Sequence, residues 1–202
     1  MTDNTEEHYS FGISGRTPDF SFSFWPLLDH LDQQEGWDWS LYDANGDGFL
    51  DNLIVLHSGY GAEEGGQDCT NGRKNDQRIW SHAFAESNGW VSGDGSVSTQ
   101  GYMIASSLDL ICNSNVAKMG VMTHEYFHTF NVIDLYDTAF QGKGMGNFEI
   151  MSYPYGHDNT GNIPVPLTPW ARAFVGWTAC DIISSSGEYV LKPAAVSDEC
   201  FK

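Results

Sequence analysis

Apolar residues in this chain mark out short elements separated by long polar, glycine-rich stretches. Pro26 to Glu35 (PLLDHLDQQE) mixes apolar and acidic positions, with Pro in the first turn and Gly36 at the end, and predicts a short amphipathic surface helix. Leu53 to Leu56 is a continuous apolar run bounded by turn residues, which predicts a buried central strand. Residues 59–66 are a glycine-crowded loop carrying Glu63 and Glu64, 67–77 an exposed polar insertion, and 88–96 a hairpin. Gly101 to Ala105 predicts another strand. Val116, Met119 and Met122 recur at helical spacing, predicting a helix that starts at Asn113 to Asn115 and stops at Asn131. Thr168 caps a further helix with Pro169 at its first position and an end near Gly176. Asp3 to Ser23 offers no strand, and no internal repeat or low-complexity segment is present.

Composition narrows the function classes. The 202 residues suffice for a real core, and 41% hydrophobic with 14% aromatic residues marks a globular chain. The net charge of −18 argues against binding nucleic acid or an anionic membrane surface. Most of that charge reads as a solvated acidic surface. Cys69, Cys112, Cys180 and Cys200 form no C-x-x-C pair, so a cysteine zinc site is not expected. Four cysteines fit two disulfides of a secreted protein, with Cys69–Cys112 and Cys180–Cys200 the favoured pairing; four free thiols would instead fit an intracellular one. No segment is long and apolar enough to span a bilayer, and the polar start Met1-Thr2-Asp3-Asn4 shows no signal peptide.

The chemistry concentrates at His124-Glu125-Tyr126-Phe127-His128. On a helix, residues four apart share a face, so His124 and His128 aim two imidazoles at one point, as a zinc ion requires. Glu125 stands beside them as general base for the attacking water. A catalytic zinc takes three protein ligands. Asn131, which tolerates the left-handed conformation, sits where the helix should end, and Asp134 follows as the third ligand, with Asp137 the fallback. The segment Asn147 to Tyr153 resembles the methionine turn of the metzincin zinc peptidases, which implies Met151 as an apolar floor under the histidines where Met151 alone would read as a core residue; Tyr153 reads as a group that reaches the metal or the oxyanion.

A second metal motif is Asp43-Ala44-Asn45-Gly46-Asp47-Gly48-Phe49-Leu50-Asp51. Asp43, Asn45, Asp47 and Asp51 by side chain, and Phe49 by its carbonyl, suit a structural calcium ion. The loop is not a full EF-hand, because its twelfth position is Ile54. Of the remaining histidines, His57 reads as a hydrogen-bonded structural residue after the strand, His82 as packed or near the site, His157 as a minor candidate to stabilise a transition state or line a substrate pocket, and His8 and His30 as exposed.

These segments together resemble the immune inhibitor A family of secreted zinc metallopeptidases. The matching residues are His124 to Asp137 (HEYFHTFNVIDLYD), Glu149 to Ser152 (EIMS), Leu167 to Thr178 (LTPWARAFVGWT), Asp43 to Gly61 and Ile79 to His82, spanning residues 37–178. The family pattern has Gly where this chain has Asn131. The resemblance implies an α+β, metzincin-like fold: a twisted mixed sheet over an active-site helix, with a methionine turn beneath the zinc. It also implies one catalytic zinc, structural calcium and endopeptidase activity on protein or peptide substrates. The expected organisation is an N-terminal segment over 1–36, incomplete as the start of such a domain, and a catalytic domain over 37–202. The expected protein is a secreted monomer with no nucleic-acid partner and no membrane insertion. Two alternatives stand beside it: a catalytically inactive, calcium-stabilised fragment or pseudoenzyme, and an acidic globular domain whose H-E-x-x-H is accidental.

Overall fold

Strand β3 (Gly101–Asp109) is the centre of the sheet in this computed structural model, which describes residues 5–109, 111–112, 115–139, 141–193, 196–197 and 199–202. It is flanked by β1 (Ile54–Tyr60) in parallel and β2 (His82–Ala85) antiparallel, with the short β4 (Asn115–Val116) antiparallel at its far end. Register runs Ile54 opposite Met103 and His82 opposite Ile104. Tyr102, Met103, Ile104 and Ala105 are all buried, as a strand with neighbours on both edges and packing on both faces should be.

The apolar run at 53–56 therefore does not form the central strand. β1 has one sheet neighbour, and its side chains alternate in burial, leaving Ile54 48% and Leu56 56% exposed. Continuous hydrophobicity does not distinguish a strand buried on both faces from one that is not; pairing decides it.

The chain divides into two compact units, Met1–Ala117 and Lys118–Lys202. In the first, the core gathers Phe20, Phe24, Leu28, Trp39, Leu50, Ile79, Trp90, Val97, Tyr102 and Ile104. Helix α1 (Glu6–Ser10) and helix α2 (Trp25–Asp32) belong to it. α2 starts one residue before Pro26 and stops short of Glu35. Its acids are used: Asp29 Oδ1 accepts from the Trp90 indole at 2.7 Å and Asp32 Oδ1 from the Trp39 indole at 2.9 Å. The 67–77 insertion is more ordered than its polarity suggests. Buried Asp68 accepts backbone N–H groups from Thr70, Asn71 and Arg73, and the Cys69–Cys112 disulfide closes the segment. At 88–96 the predicted hairpin is present in short form: Val91 pairs antiparallel with Ser98, Ser92 N–H donates to the Val97 carbonyl at 2.9 Å and Thr99 N–H to the Trp90 carbonyl at 2.9 Å.

The second unit holds helix α3 (Met119–His128) and helix α4 (Pro169–Phe174). α3 begins later than predicted. Asn115 and Val116 are in β4, and Lys118 occupies the cap position, whereas Asn113 lies outside the described residues. α4 agrees with expectation: Thr168 Oγ1 accepts from Ala171 N–H at 3.3 Å, Pro169 leads the first turn and Gly176 takes φ +77°. This unit's core is Val132, Ile150, Met151, Val165, Leu167 and Ala171. A second disulfide joins Cys180 to Cys200. The architecture is α+β with a mixed sheet and few helices, and no helix among the described residues is long and apolar enough to cross a membrane.

Candidate metal centre

Helix α3 carries His124 and His128 one turn apart, their rings edge to face with centroids at 5.0 Å. Gly120 lets the first turn of that helix lie against the chain after Met151. A Cβ there would sit 2.0 Å from the Pro154 carbonyl oxygen, and Gly120 N–H donates to the Gly161 carbonyl at 3.0 Å.

The helix ends in a Schellman closure. Asn131 takes φ +61°, its N–H donates to the His128 carbonyl at 2.9 Å, and Val132 N–H reaches back to the Phe127 carbonyl at 3.4 Å. The expected left-handed turn is thus present at Asn131. It turns the chain back, so that Asp134 Oδ1 lies 3.2 Å from His124 Nε2 and 3.3 Å from His128 Nε2. Asp137 is engaged elsewhere, accepting from Ala139 N–H at 2.9 Å and Gln141 N–H at 2.8 Å.

Both imidazoles are oriented by backbone carbonyls. His124 Nδ1 is 3.0 Å from the Ile150 oxygen and His128 Nδ1 is 2.8 Å from the Val132 oxygen. A carbonyl only accepts, so each Nδ1 carries the proton and each Nε2 is left as the ligating nitrogen. Those two nitrogens converge on Asp134 Oδ1, a buried oxygen with no hydrogen-bond partner among the described residues. His124 Nε2, His128 Nε2 and Asp134 Oδ1, brought together from the helix and the returning chain, suit the ligand set of a tetrahedral cation of the zinc type. Glu125 is buried beside them, its Oε1 4.0 Å from His124 Nε2. His124, Glu125 and His128 also offer ligand atoms that lie within 4.8 Å of one another.

Charge follows the geometry. Partial burial pushes the Asp134 carboxyl up, yet the facing His124 and His128 rings and the Tyr136 hydroxyl outweigh it and hold it well below the usual carboxylate range. Burial pushes His128 down, and Asp134 with the Val132 carbonyl outweighs that, leaving the ring raised. The attraction between the His128 ring and the Asp134 carboxylate favours the proton on the ring, and a metal binding there competes with it.

Beneath the site, Glu149 is 0% exposed and ties the segment together. Its carboxylate accepts from Met151 N–H at 3.2 Å and Thr168 N–H at 2.5 Å, and its carbonyl accepts from Ser152 and Tyr153 N–H. Met151 is fully buried, and its carbonyl accepts from Leu135 N–H at 2.8 Å. The Tyr153 ring lies tilted against Tyr155 with centroids at 5.5 Å, and no hydrogen bond among the described residues joins its hydroxyl to His124, His128 or Asp134.

Tyr136 was not singled out from the sequence, yet its hydroxyl donates to Asp134 Oδ2 at 2.9 Å and its ring stacks by His124 at 6.4 Å. Its spacing of two from Asp134 was the available clue, since alternate residues of extended chain share a side.

The calcium-type loop is a preformed turn. Asp43 accepts from Gly46, Asp47 and Gly48 N–H, Asn45 Oδ1 from Asp47 N–H, Asp47 Oδ1 from Phe49 N–H, and Asp51 from Ala44 N–H. Its donors are all oxygens, as a hard cation prefers. Elsewhere, His82 is buried between the Trp80 carbonyl at 2.7 Å and the Tyr102 hydroxyl at 3.0 Å, a packing role. His57 corrects expectation: its ring is buried but neither nitrogen is hydrogen-bonded, Glu6 Oε1 approaching only to 3.5 Å. His157 packs on Phe148, with ring centroids at 5.9 Å.

Comparison with known proteins identifies a family. The family model for the immune inhibitor A peptidase M6 catalytic domain matches residues 27–178. Immune inhibitor A of Bacillus thuringiensis subsp. alesti is 30% identical over 118 residues, covering 51% of this chain and 16% of the relative. The pre-pro-metalloprotease PrtV of Vibrio cholerae serotype O1 (strain M66-2) is 27% identical over 170 residues, covering 79% of this chain and 17% of the relative. The chain thus spans about a sixth of the length of these curated relatives. With the match to the family model running over most of its residues, the chain belongs to the immune inhibitor A, peptidase M6, family through that family's catalytic domain.

Proposed function

We propose that this chain is a zinc-dependent endopeptidase acting on protein substrates. The observation that carries the reading is the convergence of His124 Nε2, His128 Nε2 and Asp134 Oδ1, with both Nδ1 atoms committed to carbonyls. His124, His128 and Asp134 hold the metal. A zinc ion there supplies Lewis acidity, polarising the scissile carbonyl and lowering the pKa of a water from 15.7 to about 7. Glu125 takes the proton of the attacking water and returns it to the leaving amine, and its burial beside His124 keeps the carboxylate close to that proton. Tyr153 donates to the developing oxyanion, a role resting on its place two residues past Met151. The buried Met151, on the tight Glu149–Tyr153 turn, supports a metzincin-like methionine floor.

The working domain is residues 37–202, preceded by a segment over 1–36. The Asp43–Asp51 loop binds calcium as a structural ion through Asp43, Asn45, Asp47, Phe49 and Asp51. Two disulfides support an extracellular protein, and we take it to act as a monomer.

Metal content and casein cleavage of the wild type and Glu125→Ala test the function. One zinc in both, with chelator-sensitive cleavage lost by at least about 100-fold in the variant, is expected from removal of a general base. Zinc without cleavage in either protein would identify an inactive binding module, and no zinc in either would remove the metal site altogether.

A further inference from the structure

We propose that Tyr136 is a positioning residue that selects which oxygen of Asp134 faces the metal. The inference rests on the zinc site proposed above and extends it to a residue outside the H-E-x-x-H-x-x-N-x-x-D pattern. The two oxygens of Asp134 have separate duties. Oδ2 accepts the Tyr136 hydroxyl at 2.9 Å, while Oδ1 faces the two Nε2 atoms at 3.2 and 3.3 Å.

A short carboxylate on extended chain turns easily about its last bond. Left to itself, it can present either oxygen, or both, to a cation. A hydroxyl anchored on one oxygen removes that freedom. The anchor here is firm, because the residue between the pair is fixed from both sides. Leu135 N–H donates to the Met151 carbonyl at 2.8 Å, and Met145 N–H donates to the Leu135 carbonyl at 3.0 Å. Gly144, at φ +54°, allows the chain leading into Met145 to pass close by, since a Cβ there would lie 2.2 Å from the Leu135 oxygen. The Tyr136 ring also lies nearly parallel to His124, tilted by 22°. One side chain thus touches two ligands: it packs by His124 and bonds Asp134. Groups that orient metal ligands in this way are worth about 10- to 100-fold in metal affinity.

The test uses the 202-residue chain, stripped of metal, and its Tyr136→Phe variant, which keeps the ring and deletes the hydroxyl. Zinc affinity is read by competition with a chromophoric chelator, and the melting temperature of the metal-free proteins is read in parallel. The expected result is an affinity loss of about 10-fold or more in the variant at an unchanged metal-free melting temperature. Cobalt substituted for zinc should show altered visible absorption in the variant, because the freed Oδ2 joins the coordination shell. Zinc binding as tight as in the wild type overturns the positioning role and leaves the zinc site standing. An affinity loss matched by a lower metal-free melting temperature also overturns it, since the hydroxyl would then be structural. Absence of zinc from the wild type overturns both the site and this role.

Discussion

Asn131 is where one backbone torsion decides the geometry of the metal centre. Its φ of +61° lets the Schellman closure form, and Val132, the next residue, supplies the carbonyl that orients His128. Asn and Gly tolerate this region, whereas a β-branched side chain meets the following carbonyl at a cost of about 1–2 kcal/mol. Asn131→Gly should therefore change stability little, and Asn131→Val should lower it by about that amount and weaken zinc binding along with it. Chemical denaturation of the two variants decides the matter: equal stabilities would mean the turn does not depend on the left-handed residue. The facing of His124 and His128 was legible at this scale because H-E-x-x-H is local, one helical turn. Asp134 over Asp137 was not, because the choice depends on which carboxylate the turn brings back and which is consumed by its own N–H groups.

Among the elements, the reading succeeded where caps and turns speak locally and failed where neighbours decide. Thr168, Pro169 and Gly176 bound α4 as their chemistry requires. The start of α3 was misplaced because Asn115 and Val116 are drawn into pairing with β3, a long-range hydrogen-bonding choice that helical spacing does not reveal. The 53–56 run lies at a sheet edge for the same reason. The Asp43–Asp51 loop stands between these cases. Its oxygen side chains were read from the sequence as ligands, and in the structure those of Asp43 and Asn45 also accept the loop's own backbone N–H groups. Calcium should raise the melting temperature in proportion to the logarithm of its concentration, reaching about 2.7 kcal/mol of stabilisation at 100 times the dissociation constant. A melting temperature indifferent to calcium would reduce the loop to a self-sufficient acidic turn.

Across the whole molecule, burial of titratable groups sets the response to acid. Burial, with the neighbouring His82, pushes His57 down to about 4, and burial likewise pushes His82 down to about 4 despite the Trp80 carbonyl. Unfolded, both rings titrate near 6.5, so between about 6.5 and 4 the unfolded chain binds more protons. Stability contributed by the neutral rings is present above that window and is lost as pH falls through it, by about 1.4 kcal/mol per unit for each ring at most. Glu64 opposes this. Burial and the neighbouring Asp109 raise its carboxyl, so the folded state holds a proton there and stability falls as pH rises above the ordinary carboxylate value. Melting temperatures of the metal-free protein should thus decline from pH 7 to pH 4, and Glu64→Gln should steepen the decline. A flat profile in that variant would show that the histidines are not held neutral.

The sequence by itself pointed to the candidate site: two imidazoles a helical turn apart, a carboxylate beside them, a left-handed stop and an acid within reach, together with the favoured pairing of the four cysteines. Each of these depends on interactions within a few residues, or on residue types with few alternative uses. The tertiary structure decided which strand is central, which oxygen of Asp134 faces the histidines, and which carbonyls hold the rings. It also brought in Tyr136 and the buried Glu149, neither assigned a role from sequence. Those outcomes rest on hydrogen bonds between segments distant in sequence, such as His124 to Ile150 and Leu135 to Met151, and no periodicity along the chain encodes which partner a buried polar group will find.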